Sequence, residues 1–309
     1  MIDYIEISKH LSKDKPNLKN LVQKAIYLDT GVEKYSISGV RPIEIYYDER
    51  NSNLKIKGSL PYFVNGQNFY VSNNDYLKGI EYIENILNVN LSEALIDKFE
   101  YGKIIEVEDK ANLIINNHFA PSGIKTSSYT NGKYFEYQNI LLKLYNAKEN
   151  IFRKLDSNKQ KEIEKLGFNR KKEYIKFEVK YKKPHFTLNN GKGILVTDLA
   201  NTNFKSKIEN DFINQYNFLK KRKCVEIPIN KKDLSSGNII LLTLEEVALN
   251  EGKTAKELIY STLKQIPNST LNKDDKKARQ RQFRNMLEII ETDSKSKYDL
   301  LELFQNKLL

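Results

Sequence analysis

The chain has 309 residues, with 51 Lys and Arg against 40 Asp and Glu, for a formal charge of +11. Its 39% hydrophobic and 11% aromatic content is enough for a buried core, which excludes disorder, and its length fits one large domain or two ordinary ones. No apolar run of about 18 residues and no signal-peptide pattern occurs, and the single Cys224 excludes an intrachain disulfide. A soluble, cytoplasmic protein with a polyanionic partner and no membrane is expected.

Residues 2–8 (IDYIEIS) alternate polar and apolar and predict an opening strand. Residues 12–24 predict a short helix interrupted by Pro16. Strand patterns at 34–38, 43–47 and 54–60, separated by Gly39, Pro42 and the turn cluster at 48–53, predict an antiparallel meander. A tight turn at 65–68 and a short apolar run at 69–71 follow. Residues 74–88 then place Tyr76, Leu77, Ile80, Ile83 and Leu87 on one helical face, with Asn73 or Asn74 as cap.

Residues 94–107 read as a strand pair or one long strand, with Glu100 among apolar and aromatic neighbours. A carboxylate there is either solvent-facing or functional. His118 follows a short apolar segment at 112–117 and is expected to be structural or to touch a metal or phosphate. Asn131-Gly132 predicts a hairpin over 127–137 that leads into 139–155. There, 140–142 reads as a buried strand, and the spacing turns helical near Tyr145, with Lys148 and Phe152 on the same side. A lysine three residues beyond a tyrosine would favour the phenolate or hold a phosphate oxygen. In a chain with 19 Tyr such a pair also arises by chance.

Residues 157–165 predict a polar helix. Residues 173–181 (EYIKFEVKY) alternate strictly, with Ile175, Phe177 and Val179 on one face and Lys176, Glu178 and Lys180 on the other. Beyond residue 197 the pattern is helical: 204–219 followed by the basic run 220–223, then 242–250, 254–265 and 272–291. The last of these carries Lys276, Lys277, Arg279, Arg281 and Arg284, either a solvated face or a DNA contact. No internal repeat is evident in the sequence. The predicted fold class is α+β: an antiparallel-sheet domain over 1–200, then a helical, basic region over 201–309 for DNA binding or oligomerisation.

The three histidines (His10, His118, His185) are far apart and in no zinc-binding spacing, and one cysteine excludes a thiolate site. Walker, G-x-G-x-x-G and G-x-S-x-G motifs are missing. An enzyme of this composition works with carboxylates, Tyr and Lys, and with oxygen-ligated Mg2+ or Mn2+. Phosphoryl chemistry on nucleic acid suits that inventory.

Five pieces follow one another in order: MIDYIEIS, the Gly66-Gln67-Asn68 turn before a helix, LIDKFEYGKII (95–105), LKLYNAKE (142–149) and YIKFEVK (174–180). Over residues 1–181 this order resembles the rolling-circle replication initiators of filamentous and related single-stranded DNA phages, the gene II product family. More distantly it resembles plasmid Rep nickases. The resemblance implies a Rep/relaxase-like nuclease core acting as a site-specific single-strand DNA endonuclease and ligase. It implies Tyr145 as nucleophile with Lys148 alongside, giving a 5′-phosphotyrosine and a free 3′-OH. It further implies Glu100 (in Lys98-Phe99-Glu100) and Glu178 (in Lys176-Phe177-Glu178) as holders of Mg2+ or Mn2+, origin DNA as substrate and a host helicase as partner.

The chain departs from the family pattern in carrying Glu100 for aspartate, lysines for the flanking arginines, and no histidine pair. A second strand transfer would need another tyrosine, Tyr137 or Tyr134, or a second subunit. The alternatives are a non-catalytic single-strand-binding protein, using Tyr and Phe as stacking platforms, and a structural or assembly protein of a phage. Convergence of Glu100, Glu178 and Tyr145 over a positive groove favours the nuclease; burial of Tyr145 in the core excludes it.

Overall fold

The computed structural model describes residues 2–12, 15–39, 42–67, 75–152, 157–221, 255–292 and 298–308, with residues 240, 243–244 and 247–248. Five strands open the chain: β1 (Ile2–His10), β2 (Val22–Tyr27), β3 (Val32–Ile37), β4 (Ile43–Asp48) and β5 (Asn53–Gly58). Helices α1 (Leu60–Asn65) and α2 (Asp75–Leu87) close this first series. The second begins with β6 (Leu95–Val107), α3 (Ala111–Asn116), β7 (His118–Phe119), β8 (Lys125–Tyr129), β9 (Gly132–Tyr137) and β10 (Ile140–Asn146). It ends with α4 (Lys148–Phe152), α5 (Ser157–Lys165), β11 (Glu173–Tyr181), α6 (Pro184–Leu188) and α7 (Thr202–Phe218).

Ten of these strands form one sheet in the order β2-β3-β4-β5-β1-β6-β11-β10-β9-β8, with antiparallel neighbours throughout. The fold is therefore α+β with a large antiparallel sheet. The strand order is a palindrome. Matching β1 with β6, and β2 through β5 with β8 through β11, maps one half of the sheet onto the other about an axis between β1 and β6. Each half is one strand, a four-strand meander whose last strand returns beside the first, then a short helix opening on proline (Pro61, Pro184) and a longer one. The chain thus contains a topological repeat where its sequence shows none.

Alternation decides which face is core. Phe99, Leu142, Leu144, Ile175, Phe177 and Val179 point to one side and are buried with Ile5, Ile45 and Ile56. Helix α7 covers that side with Phe212 and Tyr216, and Phe304 of the helix Leu301–Asn306 closes it. Phe177 sits 5.0, 5.4 and 5.7 Å (ring centroids) from Phe212, Tyr216 and Phe304. The expected boundary near residue 200 therefore does not separate two cores: α7 and residues 298–304 belong to the core of the sheet. Among the described residues beyond 200, the helices Ala255–Gln265 and Lys273–Thr292 pack on a small cluster of their own, through Ile259, Met286 and Leu287.

One local expectation changes here, the helix at 12–24. Residues 15–21 carry no helix, and 22–27 form the outermost strand, nearly all exposed, so there was no core face to leave an alternating pattern. Residues 95–107 make one long strand, and 111–116 a short helix. Asn68, the run at 69–71, Asn73, Asn74, Cys224 and most of the helix expected at 242–250 lie outside the described residues. Among the described residues no helix is long and apolar enough to cross a membrane.

Candidate active site

The face of the sheet opposite the core is polar, and on its second half lies a cavity of about 370 Å3 lined by Asp3, Glu100, Lys143, Tyr145, Lys176 and Glu178 among others. Cross-strand register builds it row by row. Tyr145 on β10 faces Lys176 on β11, and one step along Lys143 faces Glu178. On the far side of β11, Glu178 faces Gly102 and Lys180 faces Glu100. On the near side of β10, Tyr145 faces Gly132 and Lys143 faces Tyr134. Asp3 enters at a register shift in the pairing of β1 with β6.

Two glycines make room. A Cβ on Gly102 would stand 2.7 Å from Glu178 Cγ, and one on Gly132 would stand 2.6 Å from Tyr145 Cβ. The hairpin predicted at Asn131-Gly132 exists, but Tyr129 pairs with Gly132, so the turn is Thr130-Asn131 and the glycine is a strand residue. Its role is close approach to Tyr145.

The charges form one network. Lys176 Nζ lies 2.9 Å from Asp3 Oδ2 and 2.6 Å from Glu178 Oε1. Lys143 Nζ lies 2.8 Å from Glu100 Oε2 and 3.6 Å from Glu178 Oε2. Lys180 Nζ completes it 2.9 Å from Glu100 Oε1, and Ser59 Oγ donates to Asp3 Oδ1 at 2.9 Å. Lys176 and Glu178 are 2% and 3% exposed, so these are desolvated charges whose cost is offset only by near-complete pairing. Burial raises the Glu100 carboxyl, but Lys143 and Lys180 outweigh it and hold the group below the usual carboxylate range. Burial likewise opposes the Lys176 ammonium, yet Asp3 and Glu178 keep it firmly protonated.

Tyr145 is partly buried, in the cavity and outside the core. Burial pushes its phenol well above 10; Lys176 opposes this, while Glu178, Asp3 and a hydrogen bond to Glu178 add to it. The phenol is thus neutral at physiological pH and has a carboxylate placed to accept its proton.

Tyr145, Glu100 and Glu178 therefore converge, but not over the positive groove expected: the lining carries Asp3, Glu100, Glu149 and Glu178 against Lys143 and Lys176. Lys148 does not join them: it lies outside the cavity lining, and its Nζ pairs with Glu173 Oε1 at 2.7 Å. Tyr145 is still in the strand, so the helical face expected to join it to Lys148 never forms. Lys176, directly across from Tyr145 on β11 and paired with Asp3 and Glu178, takes the place given to Lys148. Tyr137 is also removed. Its parity puts it on the opposite face, stacked on Phe218 at 4.6 Å with its hydroxyl on Gln215.

His118 is structural. It is fully buried, its Nδ1 donates to the Ile114 carbonyl at 2.9 Å and its Nε2 accepts from Tyr216 Oη at 2.9 Å. Lys277, Arg279, Arg281 and Arg284 are exposed on the helix Lys273–Thr292, Lys276 Nζ donates to the Pro267 carbonyl at 2.9 Å, and none of the five lines the cavity. Asp3, Lys143 and Lys176 join the site without having been expected there. Lys143 and Lys176 were legible as the charged members of alternating strands, whereas Asp3 had no local signal.

Carboxylate oxygens suit Mg2+ or Mn2+ in kind. Here, however, the oxygens of Asp3, Glu100 and Glu178 already face ammonium groups or a hydroxyl, and among the described residues no three His, Cys, Asp or Glu side chains group to hold an ion. With their oxygens committed to these partners, the carboxylates do not fit a metal centre. Comparison with protein-family models and with curated proteins finds none that matches this chain.

Proposed function

We propose that this protein nicks and rejoins a single DNA strand with Tyr145 as nucleophile, as an initiator of rolling-circle replication does. The observation that carries the reading is the meeting of a phenol, a proton-accepting carboxylate and two ammonium groups in one open cavity of a chain of charge +11. Tyr145 Oη attacks the phosphorus of a phosphodiester, and its proton passes to Glu178. Lys176 and Lys143 face the charge that develops on the phosphoryl oxygens. The P–O3′ bond breaks, the 3′ oxygen takes a proton from solvent or an ammonium, and a 5′-phosphotyrosine remains. One phosphoester replaces another, so the 3′-OH can reverse the step without ATP. Glu100 holds Lys143 in place, a positioning role instead of the ligand role first expected.

The test incubates wild-type protein and Tyr145→Phe with single-stranded DNA carrying the origin of the replicon that encodes the chain, with Mn2+ or with chelator. A covalent protein–DNA band on a denaturing gel, absent in the variant, is the expected result. A band that persists in Tyr145→Phe places the nucleophile elsewhere, and no band on verified origin DNA favours non-catalytic single-strand binding. A band formed only with Mn2+ would return the carboxylates to the metal role implied by the family resemblance.

A further inference from the structure

The two halves of the sheet can be compared position by position on the polar face. In the second half one cross-strand row reads Tyr129–Gly132–Tyr145–Lys176, and in the first its counterpart reads Ala25–Lys34–Tyr46–Lys55. The next rows read Ser127–Tyr134–Lys143–Glu178 and Val22–Ser36–Glu44–Lys57. Tyr46 is thus the counterpart of Tyr145, and its surroundings are filled. Lys57 Nζ and Lys34 Nζ lie 4.4 and 5.2 Å from its ring centroid, and Glu44 takes both its hydroxyl, at 2.8 Å, and Lys34, at 2.6 Å.

The two halves differ at six of these eight positions, among them Ser127 for Val22, Lys143 for Glu44 and Glu178 for Lys57, and the other three shape the space beside Tyr145. Gly132 stands where Lys34 fills the first half, and Tyr129 and Tyr134 stand where the first half has Ala25 and Ser36. The side chains added beside Tyr145 are therefore aromatic, and they flank the position that was emptied. Tyr129 is 60% exposed, its ring centroid lies 4.7 Å from that of Tyr134, and both line the cavity. With Gly132 between Tyr129 and Tyr145, that row places no side chain between the exposed ring and the phenol. Tyr129 contributes only modestly to the hairpin through its contact with Tyr134, and most of its ring stays open beside the cavity.

We propose that Tyr129 and Tyr134 form a stacking subsite for a nucleobase of a single strand, next to the phosphate that faces Tyr145. The proposal rests on the reading of that cavity as a phosphodiester site. Aromatic faces accept any base, so the subsite recognises an unpaired base without reading its identity. A duplex, whose bases are stacked on each other, is refused at this position. The lysines meet the backbone and the tyrosines meet the base.

The test measures binding, with no cleavage. Tyr145→Phe protein, alone and with Tyr129→Ala, Tyr134→Ala or Tyr129→Phe added, is titrated by fluorescence anisotropy into a labelled oligothymidylate and into an all-abasic strand of equal length. Each alanine variant should weaken oligothymidylate binding by roughly 5- to 150-fold, the range for one base–aromatic stack, leave the abasic strand unaffected, and be rescued at position 129 by phenylalanine. Unchanged oligothymidylate binding, or an equal loss on both strands, overturns the subsite. Tyr129 is exposed near a hairpin turn, and circular dichroism separates misfolding from a binding loss. Because no bond is broken here, base-dependent binding without a covalent band removes the nicking reading alone, and a covalent band with base-independent binding removes the subsite alone.

Discussion

Gly102 lies directly across the sheet from Glu178, and the methyl group of an alanine there would come within 2.7 Å of Glu178 Cγ and 3.0 Å of the Phe177 carbonyl. The backbone carbonyl cannot move without breaking the ladder, so the glutamate must. Gly102→Ala is expected to cost about 1–3 kcal/mol of stability, as overpacking does. If Glu178 takes the proton of Tyr145, displacing it by about 1 Å should also slow formation of the covalent adduct by roughly 100-fold. Urea denaturation and a single-turnover gel time course measure the two separately. Normal adduct formation in a variant that shows the stability loss would remove Glu178 as the base.

Lys148 and Lys143 should behave oppositely. The Lys148–Glu173 pair is half-exposed and away from the cavity, so Lys148→Ala is expected to cost under about 1 kcal/mol and leave adduct formation within about two-fold of wild type. Among the described residues, Lys143→Met leaves Glu100 with the Lys180 ammonium alone and Glu178 with the Lys176 ammonium alone, each carboxylate short of one partner, at a cost of roughly 1–3 kcal/mol. Adding Glu100→Gln to Lys143→Met should recover a measurable part of that loss. Strict additivity in this double-mutant cycle would show that the pair is not coupled.

How far these residues could be foreseen depended on the distance over which they act. The faces of β11 were legible because Ile175, Phe177 and Val179 alternate with Lys176, Glu178 and Lys180, and alternation is a local signal. Glu178 was legible for the same reason, whereas Tyr145 drew notice through a helical spacing to Lys148 that the strand does not have. Gly132 was misread because Asn-Gly is also turn chemistry, and only the neighbouring strand shows that Tyr145 needs the space. Lys148 was misread because a three-residue spacing means proximity in a helix, and Tyr145 is in a strand. The link of Asp3 to Lys176 spans 173 residues, and the palindromic strand order survives in topology after side chains have diverged. No local pattern records either.

The buried His118 gives the fold a defined response to acid. Burial holds its imidazole down to about 4, against an ordinary value of 6.5, with the Ile114 hydrogen bond only partly opposing. The folded-state value is the lower one, so the unfolded chain binds the proton first. The contribution is complete above about pH 6.5 and is lost as pH falls toward 4, by an amount on the order of 3 kcal/mol. Denaturant titrations at pH 7 and pH 4.5 should show this loss in wild type. His118→Gln should be less stable at pH 7 but lose distinctly less on acidification, and parallel losses would assign the acid response to the carboxylates.

The aromatic wall behind the site carries a consequence for synthesis. Phe177 stands in the strand that presents Lys176 and Glu178, and its far side is covered by Phe304, which leaves the ribosome more than a hundred residues later. Tyr216 is tied to the same late segment, since its hydroxyl accepts the Leu300 amide at 2.7 Å while donating to His118. A nascent chain that already contains every residue of the cavity still has an open rear face. Newly made protein therefore gains the rear wall of its cavity only once synthesis has passed residue 304.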